Sequence, residues 1–192
     1  HPERVISFIL IASFSIHAPL GLDRDGKARE RHPGLVTPQW NGKAETMRAM
    51  MESIIYRQDA ISEELVQMRT TMANVQSGGF NAAARFNREL WSNPNYAQRA
   101  NLLGKLDKLD IPGIYLFGRD DVLVPLSAAY EQEEVLTNIQ FYYPPECGHQ
   151  GQTDAPELFN EVFAEFFKNG KLSRELDERA GISVRRSSAA TS

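Results

Sequence analysis

Dense apolar runs and periodic apolar runs divide the chain between them. The dense runs, rich in β-branched and aromatic side chains, fall at residues 5–14, 111–117 and 139–143. Near-continuous apolarity over so few residues is expected of parallel strands covered on both faces. In the periodic runs apolar residues recur every three or four positions, so one helix face is apolar. They comprise Met47, Met50, Met51, Ile54 and Ile55; Leu65, Met68, Met72 and Val75; Phe80, Ala84, Phe86 and Leu90; and Leu158, Phe159, Val162, Phe163 and Phe166. Ser62, followed by Glu63 and Glu64, reads as the cap of the second helix, and the stretch from Val75 to Gly79 as its stop. Asn93-Pro94 ends the third helix, and Ser127 caps another that runs to about Leu136. Asp154 reads as the cap of the last long helix, with Pro156 in its first turn and Glu157 at the capping-box position. The pattern predicts an α/β protein. A first strand covers residues 1–16, and its outer amides call for a neighbouring strand. A polar stretch rich in Gly and Pro completes region 1–43, helical segments fill 44–92, and strand, helix, strand and helix follow within 93–168. Region 169–192 is a polar tail of mixed charge, a short helix and then disorder.

The ends of two predicted strands carry candidate chemistry. The run at 111–117 leads into Gly118-Arg119-Asp120-Asp121-Val122-Leu123-Val124-Pro125, and the run at 139–143 leads through two prolines to Cys147-Gly148-His149. In open α/β sheets the carboxyl edge of the strands is where ligands gather. A single histidine is more often structural than catalytic, but one delivered to the same rim as an aspartate has a use. A carboxylate on one ring nitrogen fixes the tautomer and leaves the other nitrogen as a general base. Asp121 or Asp120 can supply that carboxylate. Cys147, two residues before His149, is poorly placed to present sulfur to the imidazole and is not read as a nucleophile.

These residues resemble the closing half of an α/β-hydrolase, in which nucleophile, acid and histidine follow in that order along the chain. Matching Gly118 to Pro125 against the family motif makes Asp121 the acid, leaving Asp120 as a solvent or turn residue, and His149 the base. Residues 1–13 resemble the strand that follows the nucleophile helix. Residues 55–69 are similar to the lid of meta-cleavage product hydrolases, which split carbon–carbon bonds in dienoates made by aromatic-ring opening. The resemblance covers roughly residues 1–168. It implies an α/β-hydrolase fold, a parallel sheet with helices on both faces and a helical lid, with the N-terminal strands and nucleophile elbow absent from this chain. A serine on an N-terminal segment or separate chain would complete the triad. It also implies that Arg69 binds the substrate carboxylate, and that Ile54, Leu123, Val124 and Gln150 contact substrate. From sequence alone Arg69 would more readily reach water or pair with an acid. Where these hydrolases usually carry a tryptophan after the histidine, this chain has Gln150, a smaller and polar wall, or a plain loop residue. An esterase or lactonase of the same fold, and a non-enzymatic binding protein on this scaffold, stay open.

Composition adds exclusions. The chain has 192 residues and a formal charge of −4, which gives no basic footprint for nucleic acid. A small-molecule substrate is expected, with no metal and no cofactor, and a homo-oligomer is allowed. One cysteine cannot form an intrachain disulfide, which favours a reducing, cytoplasmic setting. The apolar run at 5–14 is too short to span a bilayer, and a buried strand explains it better than a signal peptide.

Overall fold

The sheet in the computed structural model has three parallel strands, β1 (Phe8–Ile11), β2 (Gly113–Leu116) and β3 (Gln140–Tyr142), in the order β1-β2-β3. The structure describes residues 1–13, 38–79 and 104–185, together with Ala82, Arg85, Phe86 and Leu102. Phe8 pairs with Gly113 and Ile11 with Leu116, while Ile114 pairs with Gln140 and Leu116 with Tyr142. β2, the middle strand, is buried at every position, as its unbroken apolar run requires.

Side-chain alternation along the strands divides the core in two. Tyr115, Phe117, Phe141 and Tyr143 face α3 (Leu126–Val135), where they pack with Val124, Ala128, Ala129, Leu136 and Ile139. The rings of Tyr115 and Phe141, paired across neighbouring strands, stack at 4.8 Å. Ile114, Leu116 and Tyr142 point the other way, onto Phe159, Val162 and Phe166 of α5 (Pro156–Asn169), which follows the short α4 (Gly151–Asp154). Burying each of these phenylalanines contributes about 1.5–3 kcal/mol. A third cluster, Met51, Ile55, Ile61 and Val66, joins α1 (Ala44–Glu52) to α2 (Glu63–Val75).

Several local expectations need correction. The first strand is four residues long, not sixteen: Pro2–Arg4 form a 3-10 turn, Val5 and Ile6 are exposed, and Ala12 leaves the extended region at φ 42. Among the described residues β1 is an edge strand, paired with β2 alone. Ser62 caps α2 as its sequence suggests, accepting from the Leu65 amide at 3.1 Å. The buried face of α2 is Val66 and Thr70, however, while Met68, Met72 and Val75 are exposed. The small core of Met51, Ile55 and Ile61 sets that rotation by contact, which periodicity alone does not reveal. Phe86, expected inward, is likewise exposed. Phe80, Ala84 and Leu90 of that helix lie outside the described residues, as does the Asn93-Pro94 stop. Pro125, not Ser127, is the N-cap of α3, because its extended backbone starts the helix at Leu126. After Gly170 the chain does not simply fray. Leu172, Leu176 and Ala180 are buried around α6 (Arg174–Arg179), and Ile182 bridges antiparallel to Tyr142.

Candidate active site

The loops that follow β2 and β3 approach each other through backbone atoms. A Cβ on Gly118 would lie 2.2 Å from the carbonyl oxygen of Gly148 and 2.3 Å from that of Cys147, so glycine is required for this approach. Three backbone hydrogen bonds join the same loops: Phe117 N–H to Tyr142 O, Arg119 N–H to Pro144 O and Asp120 N–H to Cys147 O. Asp121 and His149, which are 28 positions apart in sequence, are thereby brought together.

Asp121 Oδ2 is 2.9 Å from His149 Nδ1. The other oxygen, Oδ1, accepts from the amides of Leu123 at 2.8 Å and Val124 at 2.9 Å. The aspartate side chain is 0 % exposed and the histidine 23 % exposed, so the carboxylate is sealed while the ring keeps an open edge. With a carboxylate as acceptor, Nδ1 carries the proton and Nε2 presents its lone pair. This arrangement can hold an imidazole in one tautomer as a general base and stabilise the imidazolium that forms when it takes a proton.

Asp120 lies in a turn, as expected, and its side chain has a further task there. Its Oδ2 accepts from the Glu146 amide at 2.9 Å, where Glu146 turns at φ 55. It therefore secures the bend that leads to His149. Cys147 is fully buried. Burial pushes its thiol up to about 12, with Asp154, Asp120 and Glu146 adding to the effect, so it is no thiolate nucleophile at neutral pH.

The remaining expected site residues divide into near and distant groups. Ile54 is adjacent to His149, because its carbonyl accepts the His149 amide at 3.0 Å. Leu123 lies partly open beside Asp121, whereas Val124 is 0 % exposed within the core, and what it gives the site is its amide. Gln150 follows His149, and its Oε1 is buried with no hydrogen-bond partner. Arg69 sits partly buried on α2, and desolvation lowers its pKa from the usual arginine value. No ion pair to Arg69 is present among the described residues. Those residues also contain no group of three or more His, Cys, Asp or Glu side chains placed to hold a metal, and no helix long and apolar enough to cross a membrane.

The residue that sequence reasoning missed is Asp154. Expected as a helix cap, it is 0 % exposed and makes no cap bond; Ala155 occupies that position on α5. Its oxygens accept instead from the amides of Arg57 at 2.7 Å and Gly148 at 2.8 Å. No local pattern announces a contact spanning 97 positions.

Among solved structures, the chain is similar to a meta-cleavage product hydrolase from Pseudomonas fluorescens, with a TM-score of 0.60, 21% identity, and coverage of 89% of this chain and 58% of that one. The chain has the α/β-hydrolase fold. Within that fold its curated relatives are meta-cleavage product hydrolases. One, a 2-hydroxy-6-oxononadienedioate/2-hydroxy-6-oxononatrienedioate hydrolase from Paraburkholderia phymatum, is 27% identical over 64% of this chain and 41% of its own length. Another, a 2-hydroxy-6-oxo-6-phenylhexa-2,4-dienoate hydrolase from Burkholderia cepacia, is 27% identical over 66% of this chain and 42% of its own length. The match thus spans about two fifths of these relatives. No protein-family model matches the chain.

Proposed function

We propose that the protein is a serine-type hydrolase that cleaves a carbon–carbon bond in a 2-hydroxy-6-oxo-dienoate, with its nucleophile outside residues 1–192. The observation that carries this reading is the Asp121–His149 pair, with the second carboxylate oxygen held by two backbone amides. Arg69 binds the substrate carboxylate, a suitable task for a partly desolvated guanidinium whose planar fork of donors matches a carboxylate. The dienol then ketonises. His149 takes the proton of the serine hydroxyl as its oxygen attacks the ketone carbon, and passes a proton to the departing carbon fragment. Water, activated by the same histidine, releases the acyl group. The curated relatives support the substrate class, and the fold alone would not, since one fold hosts many chemistries.

A second reading, an esterase or lactonase, is favoured by one feature. Gln150, the residue after His149, makes that position polar where the carbon–carbon hydrolases usually carry a tryptophan, and its buried Oε1 has no protein partner. The two readings differ at Arg69. In the full protein carrying the nucleophile, Arg69→Gln is expected to lower kcat/KM on a 2-hydroxy-6-oxohexa-2,4-dienoate by about 2 kcal/mol of transition-state stabilisation, and to leave a neutral aryl ester nearly unchanged. Equal losses on both substrates, or no dienoate turnover by the wild type, would favour the esterase or lactonase.

A further inference from the structure

Residues 54–57, at the foot of the helical lid, run alongside the loop that carries His149; three hydrogen bonds join them, and a fourth ties Asp154 back to that loop. His149 N–H donates to Ile54 O at 3.0 Å. Gly148 N–H donates to Asp154 Oδ2 at 2.8 Å, Arg57 N–H to Asp154 Oδ1 at 2.7 Å, and Arg57 Nη1 to Asp154 O at 3.3 Å. Asp154 is 0 % exposed, so both carboxylate oxygens are committed to amides of two different segments. Gly148 makes the junction tight: a Cβ there would lie 2.8 Å from Ile54 O and 3.0 Å from Tyr56 N.

We propose that Asp154 is a positioning residue that latches the His149 loop to the foot of the lid, so that the imidazole stays registered on Asp121 while residues 54–57 are docked. A carboxylate suits this junction because it presents two acceptors to two donors. A buried amide left without an acceptor costs enough to open the junction. Neither the Asp121 contacts nor the backbone bonds between the strand loops fix where the loop sits relative to the lid, so that coupling falls to the His149–Ile54 bond and to Asp154, whose carboxylate holds an amide of each segment. Its consequence for turnover rests on His149 being the base, but the latch can be tested without turnover.

The test is nuclear magnetic resonance on the full protein with isotope-labelled histidine, comparing wild type with Asp154→Asn, Gly148→Ala and Val162→Ala. Asparagine presents an NH2 to one of the two amides, so one link is lost. The alanine at 148 forces the same junction apart with Asp154 intact, which covers the case in which Asp154→Asn fails to fold. Both variants are expected to broaden or abolish the hydrogen-bonded Nδ1 proton signal of His149. The Arg57 amide is expected to exchange with solvent faster by roughly tenfold or more. Val162→Ala, a cavity in the core beneath α5, is expected to lower stability and leave both readouts intact. Retention of the His149 signal and of Arg57 protection in either folded junction variant would overturn the proposal. Equal loss in Val162→Ala, at a temperature matching the variants in stability, would overturn it too. A latch that behaves as expected in a protein without dienoate turnover would leave the inference standing and the proposed activity refuted.

Discussion

The rim that holds Asp121 and His149 and the face of α2 that carries Arg69 differ in how far their polar groups are satisfied. On the rim, Asp121 accepts three hydrogen bonds, Asp120 and Asp154 are committed to backbone amides, and two glycines permit contact between main chains. On α2, Arg69 is partly desolvated with no ion pair among the described residues, and Met68, Met72 and Val75 are exposed along the same helix. The contrast suits the roles proposed for the two regions. A general base has to be in place before the substrate arrives, since orientation gained in advance is not lost at the moment of reaction. A carboxylate-binding arginine has to keep its donors free for the ligand.

The largest expected effects lie on the rim. In the full protein, Asp121→Asn and His149→Ala are each expected to reduce kcat by about 10⁴-fold, because the first reverses the tautomer and the second removes the base. Asp120→Asn should reduce it by no more than about tenfold, since an asparagine oxygen can still accept the Glu146 amide. Steady-state kinetics on the three variants decide the matter. Were Asp120→Asn the more damaging aspartate change, the assignment of Asp121 as the acid would be wrong by one residue.

A smaller effect separates the two faces of α2. Val66 is 1% exposed in the cluster with Met51, Ile55 and Ile61, whereas Met68 is 55% exposed. Val66→Ala is expected to cost about 2 kcal/mol by creating a cavity, and Met68→Ala to stay within about 0.5 kcal/mol. Urea unfolding monitored by circular dichroism measures both. Similar losses from the two variants would mean that the methionine face is covered in solution.

Sequence pattern made some of this legible. The three strands were visible as dense apolar runs, although the first was overextended because an apolar run does not disclose where a 3-10 turn and a positive φ cut it short. The pairing of Asp121 with His149 was readable because each lies in a loop that follows a strand, and such loops converge on one edge of a parallel sheet. Gly118 and Gly148 showed as loop residues, but the close main-chain approach that demands them appears only once the loops are folded together. Asp154 misled because an acid before Ala-Pro-Glu has the local signature of a cap. The tertiary competition won: a buried carboxylate facing two amides gains more from them than from an exposed helix end. The rotation of α2 was hidden for a related reason, since Val66 and Thr70 are the less apolar choice and burial was decided by which face met Met51 and Ile55.

The smallest expected effect uses chemical access to tell the two regions apart. Met68 and Met72 should oxidise readily in dilute peroxide while Met51, 1% exposed, stays reduced, as mass spectrometry of the digested protein would show. Cys147 supplies the matching measurement on the rim, with a sign fixed by its thiol. Burial raises its pKa from 9.0 to about 12 in the folded chain, so the fold retains a proton that the unfolded chain releases. The stabilisation linked to that proton is fully present below pH 9 and is lost as the pH rises towards about 12. In native protein, alkylation by iodoacetamide at pH 8 should therefore be slow, and should not show a midpoint near the ordinary thiol value. In the urea-unfolded chain the rate should follow thiolate formation with a midpoint near 9, the unperturbed pKa of the group. A native profile that matched the unfolded one would mean that the two loops carrying Gly118 and Gly148 separate freely, and the rim would then be no better ordered than the exposed face of α2.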